Sequence, residues 1–172
     1  MKTFTYAWGI GGIILLLTYA VYRLAPMAIE LGSYPLGWLH WGSLAFSVLY
    51  MAWAEGYKGF HLSFAPRVVA RASYLRSNPR WDLVLLAPIF CMGFIHATPR
   101  RKLLSFGLTL MIVCFVVVAR QLPQPWRGIL DAGVVVGLCF GIGSICYFLY
   151  QAGQNPDSIS VPAEVPVDAP SS

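Results

Sequence analysis

The sequence predicts an all-α integral membrane protein, built as a compact bundle of about five transmembrane helices. Hydrophobic residues make up 58% of the chain and charged residues only 11%, with a mean hydropathy of +0.65. These values lie outside the ranges of soluble domains. A chain of 172 residues has room for four or five spans of about 20 residues each. We therefore expect one multi-pass membrane domain over residues 1–150.

The first two apolar runs cover residues 6–24 and 36–54. Arg23 closes the first run, where its long side chain can reach the headgroups. Cleavage of this run as a signal peptide after Ala25 would put Arg23 where a small residue is required, so an uncleaved signal-anchor is expected. The second run follows a Gly-Ser-Tyr-Pro breaker and carries aromatic residues near both ends, which are interfacial anchor positions.

The third run, residues 82–99, is the shortest. Its uncharged part, Leu83–Ala97, would rise only about 22 Å as a helix, against a hydrocarbon core of about 30 Å. This segment either crosses with the help of its flanking residues or dips into the membrane and returns. The fourth and fifth runs, residues 103–122 and 128–150, are long enough to span.

The positions of Lys and Arg predict a cytoplasmic amino terminus. If all five runs cross, eight basic residues share the side of Lys2 and four lie opposite, among them the basic triplet Arg100, Arg101 and Lys102. If the third run returns instead, the count becomes nine against three, and the carboxyl tail joins the amino terminus. The charge rule favours the second arrangement, whereas the need to satisfy the backbone of a re-entrant turn favours the first.

Residues 55–81 are predicted to form a basic cytosolic loop that contains an interfacial amphipathic helix. The apolar spacing of Val68, Val69, Ala72 and Leu75 fits one helical face. Arg67 and Arg71 are candidates for binding anionic headgroups of membrane lipids, or their charges serve only to set the topology. Residues 151–172 are rich in proline and acidic residues, and we expect them to form a disordered tail.

The segment Trp53–His61 gathers an acid, a phenol, an amine and an imidazole after the second run. One interpretation is a polar pocket for a ligand or headgroup, with Glu55 as acid or base, His61 as proton shuttle, and Tyr57 and Lys58 as binding residues. The other interpretation is structural. The span would end in an ion pair between Glu55 and Lys58, which are three residues apart. Aromatic side chains would lie at the headgroup level, and Gly56 and Gly59 would turn the chain.

Gly133, Gly137 and Gly141 recur every four residues in the fifth run and form a stripe without side chains, here called the glycine stripe. Such a stripe lets another helix approach closely. It is either a docking surface for a partner membrane protein or a second copy of the chain, or a packing surface within the bundle. Asp131, in the first turn of the same helix, is predicted to pair with Arg127.

No motif indicates a cofactor, a metal site or nucleic-acid binding. The four cysteines lie in apolar runs without a CxxC pair, and the three histidines lack metal-binding spacing. Two functions remain open. The first is a non-catalytic accessory or scaffold subunit of a membrane assembly. The second is an enzyme or binder acting on a lipid or isoprenoid-like molecule at the membrane interface through Glu55, Lys58 and His61.

Overall fold

The structure is a computed structural model that describes residues 2–77, 85–95 and 97–155. The regular secondary structure of these residues is all helical. Its elements are α1 (Lys2–Glu30), a 3-10 turn (Leu31–Ser33), α2 (Trp38–Met51), a π-helix (Ala52–Phe64, the π segment), α3 (Ala65–Ser77), α4 (Ala87–Cys91), α5 (Pro99–Gln121) and α6 (Trp126–Gln154). The predicted disorder of residues 156–172 lies outside the described residues, as does His96. Residues 151–154, predicted to begin the tail, form the last turn of α6.

Three of the described helical segments are long and apolar enough to cross a membrane, namely Thr3–Ser33, Lys102–Gln121 and Trp126–Gln154. They correspond to the first, fourth and fifth apolar runs, so the sequence-based prediction of these three helices is confirmed. A bundle of five spans is not confirmed, because the second and third runs fold differently from the expectation.

The second run does not end at residue 54. The chain remains helical from Trp38 to Ser77, first as α2, then as the π segment, then as α3. Gly56, expected to turn the chain, instead lies buried against α6, where a Cβ at this position would come within 2.9 Å of the Phe140 side chain. The glycine therefore serves close packing of two helices rather than a turn.

The third run forms no spanning helix within its described residues. The five residues of α4 rise only about 7.5 Å, and the chain then turns at Gly93, whose φ is 85°. α4 packs on the first half of α1, where Cβ atoms at Gly9 and Gly12 would come within 3.0 Å of Cys91 Sγ and 2.5 Å of Pro88 Cγ. This segment resembles the returning alternative rather than a crossing helix.

The contacts between helices place the start of α5 at the same end of the bundle as the start of α1. The ring of Phe106, near the start of α5, lies 5.2 Å from Phe94 in the turn after α4, and α4 packs on the first half of α1. At the opposite end, here called the far end, Gln124 donates to Met27 O over 3.4 Å and the ring of His40 lies 5.0 Å from Trp126. The far end thus collects the end of α1, the start of α2, the end of α5 and the start of α6.

The amphipathic helix predicted within residues 55–81 is present as α3, but it does not leave its apolar face exposed. The side chains of Val68, Val69, Ala72 and Leu75 are all almost fully buried. Val68, Ala72 and Leu75 belong to a core that α3 forms with α1, α4 and α6, whose members include Ile13, Phe90 and Ile145. An apolar helical face is equally suited to acyl chains and to other helices, so its spacing alone did not distinguish the two.

Candidate functional site

The glycine stripe is occupied from within the chain. At Gly133 an added Cβ would overlap Ser47 Oγ and lie 2.9 Å from Ser47 O, and at Gly141 it would lie 2.7 Å from the Phe60 ring. Both partners belong to the continuous helix formed by α2 and the π segment. All three glycines of the stripe are buried. The structure therefore shows the stripe as an intramolecular packing surface and leaves no free glycine face there for a partner.

Glu55 lies in the crossing between the π segment and α6. A Cβ placed on Gly137 would lie 3.4 Å from the Cβ of Glu55 and 3.8 Å from its Oε2. The carboxylate makes no hydrogen bond or ion pair with any residue that the structure describes. The expected ion pair with Lys58 is not formed, because Lys58 Nζ lies 3.9 Å above the ring of Trp53. The five-residue spacing of Trp53 and Lys58 is the period of the hydrogen bonds in a π-helix.

His61 faces a different group of side chains. Its Nδ1 shares a hydrogen bond of 3.3 Å with Ser144 Oγ on α6. Its ring stacks on Tyr57 at 5.7 Å and lies 5.2 Å from Phe148. Glu55, Lys58 and His61 therefore contact three separate partners and do not converge on a common point. This arrangement provides no paired acid and base for catalysis.

Arg67 and Arg71, the two candidate headgroup ligands, have different surroundings. Arg67 is partly exposed and donates to Ser63 within its own helix, through Nε to the carbonyl oxygen at 2.6 Å and through Nη2 to the hydroxyl. Arg71 is only 2% exposed. The structure thus places Arg71 away from lipid headgroups, in the protein core.

The guanidinium of Arg71 holds the turn that follows α4. Nε donates to Phe90 O and Nη2 to Ile95 O, both over 2.7 Å, and the guanidinium carbon lies 4.2 Å above the Phe90 ring. Ser105 Oγ of α5 donates to Met92 O over 3.2 Å. These side chains bind carbonyls at the end of α4 and in the turn after it, of which Phe90 O also accepts from the backbone N–H of Gly93 at 2.9 Å. They supply polar contacts from the surrounding protein to this turn.

Sequence reasoning missed the role of Arg71, although one signal was available. Val68, Arg71, Ala72 and Leu75 have the spacing i, i+3, i+4 and i+7, so Arg71 lies on the apolar face of α3. A basic residue on such a face needs acceptors from its neighbours. Ser105 had a weaker signal, since it is a lone hydroxyl near the start of an apolar run.

The remaining polar groups at membrane-helix positions have structural partners. Arg127 Nε lies 3.7 Å from Asp131 Oδ2, which confirms the predicted pair across one helical turn. The imidazole of His40 accepts from the backbone N–H of Gly37 at the start of α2, over 3.2 Å. Two atoms, Ser47 Oγ and Asp131 Oδ2, are buried and make no hydrogen bond within the described residues, although Asp131 Oδ2 has the Arg127 ion pair.

Cys91 is the buried one of the four free cysteines. Burial raises the pKa of its thiol to about 12, which opposes formation of the nucleophilic thiolate. The described residues contain no group of three or more His, Cys, Asp or Glu side chains placed to hold a metal ion.

Comparisons with protein-family models, with characterised proteins and with solved structures give no match to this chain.

Proposed function

We propose that this chain is an integral, multi-pass membrane protein that crosses the bilayer four times. The crossing segments are α1, the continuous helix of α2 and the π segment, α5 and α6. Of the described residues, 65–77, 85–95, 97 and 98 then belong to the amino-terminal end of the bundle, with α4 as a short returning helix. Three long apolar helices support this arrangement. Since α2 alone would rise only about 21 Å, the π segment is needed to complete the second crossing.

The distribution of basic residues supports a cytoplasmic amino terminus and a cytoplasmic carboxyl tail. With four crossings, nine of the 12 Lys and Arg residues lie on the amino-terminal side. Only Arg23, Arg120 and Arg127 belong to the far end. The basic triplet at the start of α5, which a five-span topology puts on the external side, is then on the side that the positive-inside rule requires.

Labelling of single cysteines tests this topology. In a variant whose four native cysteines are replaced by serine, Lys102→Cys should react with a membrane-impermeant maleimide only after the cells are permeabilised. Ser33→Cys, in the turn at the far end, should react in intact cells and serves as the matched control. Labelling of Lys102→Cys in intact cells would contradict the four-crossing topology and favour five spans.

As the function, we propose a non-catalytic accessory or scaffold subunit of a membrane assembly, with α5 as its docking element. The observation that carries this proposal is the exposure of the middle of α5. Large apolar side chains are exposed on all sides of this helix, namely Phe106, Leu108, Leu110, Met111, Ile112, Val113, Phe115, Val117 and Val118. α5 contacts the rest of the chain mainly near its ends, through Ser105 and Ala119, which are buried.

The proposed partner of α5 is a transmembrane helix of another subunit. Residues 106–118 carry no charged side chain and extend over about 20 Å of helix axis. Helices in a bilayer associate through van der Waals packing of such surfaces. A helix held only at two points gains little packing from its own chain, and a partner helix alongside it would supply the missing contacts.

Tryptophan substitutions on α5 test the scaffold function. Leu110→Trp and Ile112→Trp add bulk on opposite sides of α5, at positions exposed within the chain, so the chain itself should still fold. We expect at least one of them to reduce the mass of the protein–detergent complex to that of the single chain in light-scattering measurements. Leu15→Trp, at a comparably exposed position on α1, is the control. A wild-type protein that is already a single chain in native membranes would contradict the proposal.

A further inference from the structure

We propose that a cleft between α2 and α6 binds one hydrocarbon chain of an anionic phospholipid, whose phosphate is held by Arg127. This inference rests on the membrane placement proposed above, and it assigns a lipid site separate from α5. Three features support the proposal: the shape and chemistry of the cleft, its position in the bundle and the contacts of the Arg127 side chain.

The cleft has a volume of about 350 Å³ and is lined almost entirely by apolar atoms. This volume falls within the range of about 300–1,000 Å³ that is typical of small-molecule sites. Phe46 and Tyr50 stack at 5.7 Å and form one wall, and Trp126 and Leu130 of α6 form part of the other. A single hydrocarbon chain is small enough for a cleft of this volume, whereas a partner helix is about 10 Å in diameter.

The cleft opens near the far end of the bundle. Trp126 lies in the first turn of α6, and its ring contacts His40 near the start of α2. Tryptophan side chains concentrate at the level of the lipid headgroups. A lipid whose chain enters the cleft would therefore carry its headgroup at the start of α6.

Arg127 lies at this level, between the cleft residues Trp126 and Leu130 in sequence. Its side chain is 33% exposed, and its Nε is 3.7 Å from Asp131 Oδ2, beyond hydrogen-bonding distance. No hydrogen bond joins the guanidinium to another described residue, so its donors are available for a ligand. A guanidinium binds a phosphate through two parallel hydrogen bonds.

Charge at the far end also favours an anion at this position. Three arginines, Arg23, Arg120 and Arg127, belong to this end, against two acidic residues, Glu30 and Asp131. The formal charge of the far end is therefore positive. Glu30 is in addition contacted by Gln124 Nε2 at 3.4 Å. The combination of an apolar cleft with a neighbouring, hydrogen-bond-free guanidinium matches the two parts of an anionic phospholipid.

Native mass spectrometry of the detergent-purified chain tests this site, with phosphatidylglycerol and phosphatidylcholine of identical acyl chains as probes. We expect one bound phosphatidylglycerol and about tenfold weaker retention of phosphatidylcholine. Ser43→Phe, which fills the cleft from α2, should abolish retention of both lipids. Gly42→Phe adds a larger group one residue away, where no atom lies within 4 Å, and should leave retention unchanged.

Two further variants keep the test independent of folding. Phe46→Ala removes an exposed wall of the cleft, and we expect it to weaken retention of both lipids. Arg127→Gln should lower phosphatidylglycerol to the level of phosphatidylcholine and leave the latter unchanged. Equal retention of the two lipids by the wild type, full retention by Ser43→Phe, or displacement of phosphatidylglycerol by an equal concentration of a prenyl alcohol would each overturn the proposal.

The outcome is separable from that of the scaffold proposal. Lipid retention is measured on the single chain, so loss of assembly does not affect it. Conversely, the cleft contains no residue from the middle of α5, so the assembly test with Leu110→Trp and Ile112→Trp stands whether or not the cleft binds lipid.

Discussion

Arg71→Met should release the turn after α4 and cause one of the largest losses of stability available to a single substitution in this chain. Methionine fills similar space but donates no hydrogen bond, so Ile95 O loses the guanidinium that binds it, and Phe90 O keeps only backbone donors such as the N–H of Gly93 at 2.9 Å. A hydrogen bond to a charged group contributes about 1.5–3 kcal/mol, and a buried carbonyl without a partner is itself costly. We therefore expect a loss of about 3 kcal/mol or more in the free energy that keeps α4 packed.

The thiol of Cys91 reports directly on this event. Cys91 belongs to α4 and is buried, whereas Cys114, Cys139 and Cys146 are exposed. With the three exposed cysteines replaced by serine, the rate of maleimide labelling measures how often α4 opens. A loss of about 3 kcal/mol corresponds to an increase of roughly a hundredfold in that rate.

Arg67→Met is the matched control for this experiment, because Arg67 lies one helical turn away and hydrogen-bonds to Ser63, one turn earlier in the same continuous helix. Arg71→Lys should give an intermediate rate, since one ammonium cannot reproduce the two directed bonds of a guanidinium. If Arg71→Met labels no faster than Arg67→Met, Arg71 does not hold the turn.

Gly133→Ala and Gly143→Ala should change stability in opposite directions, although both lie in α6. A methyl group at Gly133 would overlap Ser47 Oγ and approach Ser47 O to 2.9 Å, so α2 and α6 would have to separate. Overpacking of this kind costs about 1–3 kcal/mol. Gly143 has no atom within 4 Å of the added methyl, so alanine there should stabilise the helix by about 0.5–1 kcal/mol.

The other glycines of the stripe should fall between these extremes. At Gly137 the nearest atoms lie at 3.4 Å and 3.5 Å from an added Cβ, which is ordinary contact, so alanine should be tolerated. At Gly141 the Phe60 ring must move to admit a methyl, and we expect an intermediate cost. Unfolding of the purified protein by titration with SDS measures the series. Equal losses at Gly133, Gly137 and Gly141 would contradict the packing described here.

Several features of the fold followed from local pattern. The long helices α1, α5 and α6 are detectable because each contains an uncharged run of adequate length, and a backbone in such a run satisfies its own hydrogen bonds as a helix. The glycine stripe was recognisable as a packing surface from its four-residue spacing. The pairing of Arg127 with Asp131 was also predictable, because both residues belong to one helical turn.

Other features depended on contacts between distant parts of the chain. Glu55 and Lys58 have the spacing of an ion pair in an α-helix, but the π-helical hydrogen bonding of this segment places Lys58 over Trp53. Gly56 was expected to turn the chain because glycine permits it, whereas the nearby Phe140 side chain explains why glycine is required there within a helix. Neither partner is visible from the local sequence.

The sequence by itself determined the strongly apolar, helical character of this protein, the approximate positions of its three long apolar helices and the uneven distribution of basic charge. These properties depend on composition and on spacings within one helix. The tertiary structure alone decided that the glycine stripe packs against α2 and the π segment, that α3 is a core helix, and that Arg71 binds carbonyls of the turn after α4. Each of these depends on which surfaces meet across the fold, because an apolar face or a buried cation can be satisfied equally by lipid or by protein.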